Sequence, residues 1–264
     1  MKRIHLFEFT DLPWYPPTFR RIQTDYLHFA ATLGMNYKNL IPLFAKAMHH
    51  AKTTEIVDLC SGGTGPWVRL QELFRQAGLP VSVKLTDKYP NPQALQEWSE
   101  TLREGIEYLA EPVDAMKVPG HLKGMRTLFE GFHHFKPEQA KSILRDAVEK
   151  EAAIGIFDGS LKLSLGLLPM ILGPLMVLIS YPLVTPFITP RTLSRFFWTY
   201  LVPIVPLVTC WDGVVSFMRT YSIQDLKELT ESLQSEDYIW ETGQAPTGIP
   251  LLEFTYLIGY PAEK

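Results

Sequence analysis

The stretch IVDLCSGGTGPW, residues 56–67, decides how the chain is read. A short apolar run ends in Asp58, glycines follow at 62, 63 and 65, and Pro66 and Trp67 open the next segment. An apolar run of this length bounded by glycines reads as a buried strand. Glycine adopts positive φ readily and lets a ligand approach the main chain. A loop this rich in glycine is therefore either a tight turn or a cradle, and its surroundings decide which.

Those surroundings alternate. Residues 55–59 (EIVDL), 81–86 (VSVKLT), 107–109, 126–130 (RTLFE) and 153–157 (AIGIF) are strand-like. Helical spacing occupies 67–77, 92–105 and 137–151, the last with proline in its first turn. Strand and helix alternating at short intervals predict βαβ units and a parallel sheet. The tail differs. After a helix at 222–233, strand-like runs at 238–242 and 252–258 are joined by a loop too short for a crossover helix, so they are antiparallel. Before the sheet, residues 1–50 read as a helical lead-in. WYPP at 14–17 breaks regular structure, and Tyr26, Phe29, Leu33 and Tyr37 follow near helical spacing.

Composition narrows the function. The chain has 264 residues, 46% hydrophobic and 20% charged, which excludes a disordered tail. A net charge of -3 offers no electrostatic footprint for nucleic acid. Two cysteines, Cys60 and Cys210, supply neither a disulfide framework nor a metal quartet, and no metal is expected. The N-terminus lacks the apolar core of a signal peptide, so the globular part is expected in the cytoplasm.

In a parallel α/β sheet, ligands bind beyond the carboxyl ends of the strands. The loop of residues 60–65 lies at such an end. A nucleoside triphosphate calls for GxxxxGK followed by Ser or Thr, and no such run exists. A dinucleotide calls for GxGxxG, but Val68 holds the third glycine's place. S-adenosylmethionine (SAM) has no phosphate and needs neither. It needs backbone room for its methionine part and acidic groups for its ribose. Asp87 ends the second strand, 22 residues after Gly65, where a carboxylate can accept ribose hydroxyls. Asp114, with Ala115 beside it, follows the third strand, where it can meet the adenine amino group. FHHF, residues 132–135, follows the fourth strand.

The order DLCSGG, TDKYPN, VDAM, RTLFEGFHHF and IGIFDG resembles a class I SAM-dependent methyltransferase, and in particular bacterial members whose loop reads DLxSGxGGP. The resemblance covers roughly residues 50–160 and 215–260. It implies a seven-stranded, doubly wound, Rossmann-like core of the α/β class, mostly parallel with an antiparallel final strand, and SAM over the loop formed by Cys60, Ser61, Gly62, Gly63 and Gly65. Thr64 stands where related loops often carry glycine.

Each candidate residue has a plainer reading beside the functional one. Asp58 either holds the loop and the cofactor's amino group through a water, or caps the turn. His133 and His134 are candidates for a general base on the acceptor; alternatively they end a strand and bond locally. Cys60 reads as a small packed residue, not a nucleophile. Trp67 and Phe132 either stack on the cofactor or belong to the core. Trp14 and Tyr15 are candidates for a lid. Asp212 and Arg219 read as a structural ion pair.

The segment 163–210 interrupts this scheme. From 163 to 190 there is no Asp, Glu, Lys or Arg in 28 residues, and another 16 charge-free residues run from 196 to 211. Prolines at 169, 174, 182, 186, 190, 203 and 206 are expected to break it into short helical pieces. The domains are thus read as a lead-in (1–50), a discontinuous core (51–162 and 211–264) and an apolar insertion (163–210). The insertion suggests an apolar or lipid-like small-molecule acceptor. It also suggests peripheral or monotopic contact with the inner face of a membrane, unless it caps the core or a dimer partner. Two alternatives stay open: a SAM-fold protein with other chemistry, and a membrane-associated scaffold.

Overall fold

Strand β1 (Glu55–Asp58) sits centrally in a seven-stranded sheet ordered β3-β2-β1-β4-β5-β7-β6. The other strands are β2 (Ser82–Asp87), β3 (Ile106–Pro112), β4 (Met125–Phe129), β5 (Ile154–Leu161), β6 (Tyr238–Pro246) and β7 (Leu252–Pro261). This computed structural model describes residues 3–62, 65–90, 104–162 and 168–263. The helix expected at 92–105 falls almost wholly outside them. β1 pairs in parallel with β2 on one side and β4 on the other, so the winding reverses between β1 and β4. β2–β3 and β4–β5 are also parallel. β6 and β7 are neighbours separated by only residues 247–251, so they run antiparallel to each other.

The helices are α1 (Pro17–Gly34), α2 (Ile41–His50), α3 (Trp67–Gln76), α4 (Pro137–Glu149), α5 (Leu168–Val184), α6 (Leu193–Phe196), α7 (Ile204–Arg219) and α8 (Ile223–Glu231). The chain folds as two compact units. Unit 1 comprises residues 1–35, 159–220 and 247–253; unit 2 comprises the rest.

Unit 2 carries most of the sheet. Its strands alternate faces. Val57, Leu128 and Ile156 join a core with Ala140, Ile143, Leu144 and Ala147 of α4 and Leu226 and Leu229 of α8. The opposite face holds an aromatic cluster: Phe44 of α2, Trp67 and Phe74 of α3, Phe129 and Phe157. Fully burying each such ring contributes about 1.5–3 kcal/mol. Two strands run longer than their sequence suggests. GQAP after residue 242, a loop by composition, belongs to β6. Gly243 is required there because a side chain would collide with the Tyr256 ring. Likewise β5 continues four residues past Phe157.

In unit 1, α1 and the apolar segment pack together: Tyr26 stacks on Tyr181 with ring centres 4.0 Å apart, and Phe19 meets Trp198 at 4.9 Å. The expected breaks differ in detail. α5 runs straight through Pro174 and Pro182. Tertiary packing such as that of Tyr181 stabilises a helix that proline alone disfavours. Asp212 and Arg219 do not pair with each other. Asp212 accepts from the Phe9 and Thr10 amides and Gln23, whereas Arg219 binds Glu8 and Asp11. Together they fasten the N-terminal segment to α7.

One buried ion pair is a sensitive point of unit 2. Arg126 on β4 is 2% exposed and donates to Asp146 of α4 at 2.8 Å; Asp146 also accepts from Lys150 and the Val118 amide. Asp146→Ala would leave the guanidinium buried without its carboxylate. Urea denaturation should show a loss of about 3–5 kcal/mol. A loss below about 1 kcal/mol would mean that water reaches Arg126.

Candidate functional site

The reversal between β1 and β4 puts two strand ends side by side, and side chains tie them. Asp58 and Thr127 are register partners. Thr127 Oγ1 donates to Asp58 Oδ1 at 2.6 Å, and Ser61 Oγ donates to Oδ2 at 2.6 Å. The Asp58 carbonyl accepts from Thr86 Oγ1 at 2.8 Å, and the Ser61 amide donates to the Thr86 carbonyl at 3.0 Å. One aspartate thus links β1 and β4 directly, and β2 through Thr86. The indole Nε1 of Trp67 is buried nearby without a hydrogen bond of normal geometry. Burial pushes the Asp58 carboxyl up to about 6 against the hydrogen bonds from Ser61 and Thr127, with the charge of Asp87 adding to the rise.

The loop turns on left-handed residues: Cys60, Gly62 and Gly65 have φ of 58°, 59° and 49°. A Cβ at Gly62 or Gly65 would meet no described atom within 4 Å, so the main chain faces open space there. Gly63 lies outside the described residues. Asp87, at the end of β2, accepts from the Gly62 amide at 2.9 Å and the Tyr89 amide at 2.8 Å. A carboxylate offers about four acceptor positions, so two remain after these bonds. Asp114 accepts from Lys88 at 2.8 Å and from the Met116 amide at 2.9 Å. Partial burial opposes its ionisation, but Lys88 and that amide hold it below the usual carboxylate range. Ala115 is buried in the core. The Cys60 thiol is pushed far up by burial and by Asp87, Asp58 and Asp114, so it is protonated and inert at neutral pH.

Beyond β4, Glu130 takes φ 51° and the chain turns through Gly131 into a short helical turn, Phe132–His134. Phe132 is fully buried against Tyr221, 5.3 Å between ring centres. His133 is buried. Its amide donates to Asp158 Oδ2 at 3.0 Å, and its Nδ1 lies 3.5 Å from the same oxygen. His134 lies beside it, 4.4 Å between rings, and is less buried. Asp158 Oδ1 is buried and has no hydrogen-bond partner among the described residues.

Reading the sequence did not single out Thr86, Thr127 or Asp158. Asp158 was the most legible of the three, because it ends the apolar run IGIFD as Asp58 ends IVD. Nothing local marks the two threonines.

No protein-family model and no curated protein matches the sequence. Solved structures do. LepI in complex with SAM superposes with a TM-score of 0.51 at 18% identity, over 93% of this chain and 53% of that one. The CMeT domain of the citrinin polyketide synthase superposes with a TM-score of 0.52 at 11% identity, over 95% and 59%. The fold is that of the class I SAM-dependent methyltransferases. The chain spans about half the length of the first of these structures. The seven-stranded, doubly wound sheet expected from the sequence is therefore present, with the glycine loop at its switch point.

Asp58 has a pH signature. The folded protein holds this proton up to about pH 6, while the ordinary carboxyl value is 3.8. In that window the folded state binds the extra proton, so stability from this group falls as pH rises from about 4 to about 6 and is flat above. The difference between wild type and Asp58→Asn in denaturant melts should drift in that window by an amount on the order of 2–3 kcal/mol. A pH-independent difference would mean that Asp58 ionises normally.

Proposed function

We propose that the chain binds SAM over the loop after β1 and transfers its methyl group to a small, largely apolar acceptor. The observation that carries the reading is the hydrogen bond from the Gly62 amide to Asp87. It sets a carboxylate with spare acceptor positions beside left-handed glycines whose faces are open. The residues present fit the cofactor. Gly62 and Gly65 leave room for the methionine part, Asp87 serves the ribose, and Asp114 lies where the adenine edge is expected. Asp58 braces the loop, its charge complementing the cofactor's ammonium.

When bound, SAM supplies an electrophilic methyl group on a cationic sulfur. The chain's own part is to position the acceptor and take its proton. Of the two histidines, His133 suits this role better, because Asp158 sits against its ring and stabilises the imidazolium. The unpartnered Asp158 Oδ1 favours an acceptor that brings a hydroxyl donor. In-line positioning supplies much of the rate in such transfers.

Calorimetry with S-adenosylhomocysteine should show one site, and Asp87→Ala should weaken it by about 1–3 kcal/mol through lost hydrogen bonds to a charged group. Unchanged affinity in that variant would remove Asp87 from the site, and tight NADH binding instead would overturn the ligand. Once a screen with methyl-labelled SAM identifies an acceptor, His133→Ala should lower kcat on the order of 100-fold with little change in S-adenosylhomocysteine affinity. Wild-type turnover would leave proximity and orientation as the mechanism.

A further inference from the structure

Unit 1 turns apolar side chains outward in ordered rows. On α5, Leu168, Ile171, Leu175, Ile179 and Leu183 recur at steps of three and four, and all are exposed, Ile171 by 66%. On α7, Ile204, Leu207 and Trp211 form a second exposed row. Between the helices, Leu193 is 89% exposed and Leu201 is exposed as well. The N-terminal segment adds Phe7, which with Phe9, Leu207, Val208 and Trp211 lines an open groove of about 340 Å³. Scattered apolar residues on a surface are ordinary; helical rows of them mark an interaction face.

The occupant follows from three further observations. First, α5 has one packed face and one bare face. Residues 170–187 have a mean hydropathy of 1.7 and only 11% of them are buried, yet Tyr181 is fully buried against Tyr26. Residues 170–187 are long and apolar enough to cross a bilayer; one face packed on α1 and a bare opposite face also suit a helix that lies along the bilayer surface. α6 with its continuation to Leu201 and α7 are bent by 77° at their junction, so the two do not form one straight span. Second, charge has been removed from the face. Arg195, in the middle of the apolar segment, is 1% exposed, paired with Asp25 and donating to the carbonyls of Ile188 and Pro190. Third, the charges separate between units. The sequence of unit 1 carries eight Lys and Arg against five Asp and Glu, although the whole chain is -3. Four of those five acids, Glu8, Asp11, Asp25 and Asp212, are engaged inside the unit. Exposed Arg191 and Lys162 add positive charge to its surface. Apolar rows with aromatic residues and a basic excess match an anionic lipid surface, where the polar–apolar boundary accepts both.

We propose that unit 1 docks flat on an anionic bilayer, with the outward rows of α5 and α7 seated among the headgroups and upper acyl chains. A second copy of the chain would also cover apolar rows, but it would bring its own basic excess against this one.

The test uses the full chain and vesicles of phosphatidylcholine, alone or mixed with phosphatidylglycerol. Sedimentation should carry the protein with the mixed vesicles, more weakly with phosphatidylcholine alone, and part of the binding should survive high salt. Ile179→Glu, and separately Leu175→Glu, change exposed positions and should lower the bound fraction by about tenfold or more. Neither should alter S-adenosylhomocysteine affinity, so this proposal and the cofactor reading fail separately. Wild-type protein left in the supernatant with both vesicle types would overturn the proposal. So would vesicle binding that both variants retain, or a dimer in solution that Ile179→Glu dissociates.

Discussion

The carboxylate of Asp58 is the constraint on which the candidate site depends. It is buried at the end of β1 and accepts from Thr127 on β4 and Ser61 in the loop, while its carbonyl accepts from Thr86 on β2. Burying a carboxylate is costly unless hydrogen bonds replace part of its water. The same bonds that satisfy it therefore fix the start of the glycine loop relative to three parallel strands. The loop can then present left-handed residues to open space without losing its path. Asp87 repeats the device one strand over, holding the Gly62 amide while keeping acceptor capacity in reserve. Structural and functional readings of these acids do not compete, because the brace is what places the open groups.

The units follow different rules. In unit 2, alternating apolar residues of parallel strands fill both faces, and the charged groups that enter do so in paired clusters such as Arg126, Asp146 and Lys150. In unit 1, the charged residues Arg195, Asp25, Arg219, Glu8 and Asp212 are drawn inward, and leucine, isoleucine and tryptophan face out. Burying those ions is worthwhile only where hydrogen bonds from every side replace water. The Arg195 guanidinium meets that condition at its two terminal nitrogens, with a carboxylate and two carbonyls, while its buried Nε has no partner among the described residues.

Much of the fold was legible because its signals are local. Strand–helix alternation, a glycine loop after a short apolar run and an acid at the end of the next strand each lie within a few residues of one another. The places where the reading stopped short were those where a distant partner decides. β6 continues through Gly243 because Tyr256 of the neighbouring strand covers it. α5 continues through two prolines because Tyr181 and its neighbours are anchored on α1. Arg219 passes over Asp212, close in sequence, for Glu8 and Asp11 at the other end of the chain.

The sequence by itself determined the class of fold, the position of the loop and the presence of a charge-free apolar block, since periodicity and composition are properties of neighbouring residues. Only the tertiary structure decided that Thr127, 69 residues away, would satisfy Asp58, and that Asp158 would lie against His133. It also decided that Arg195 would be buried while Ile171 and Leu193 remained outside. Hydrogen-bond satisfaction and desolvation are set by what surrounds a group in space. No local pattern carries that information until the chain has folded.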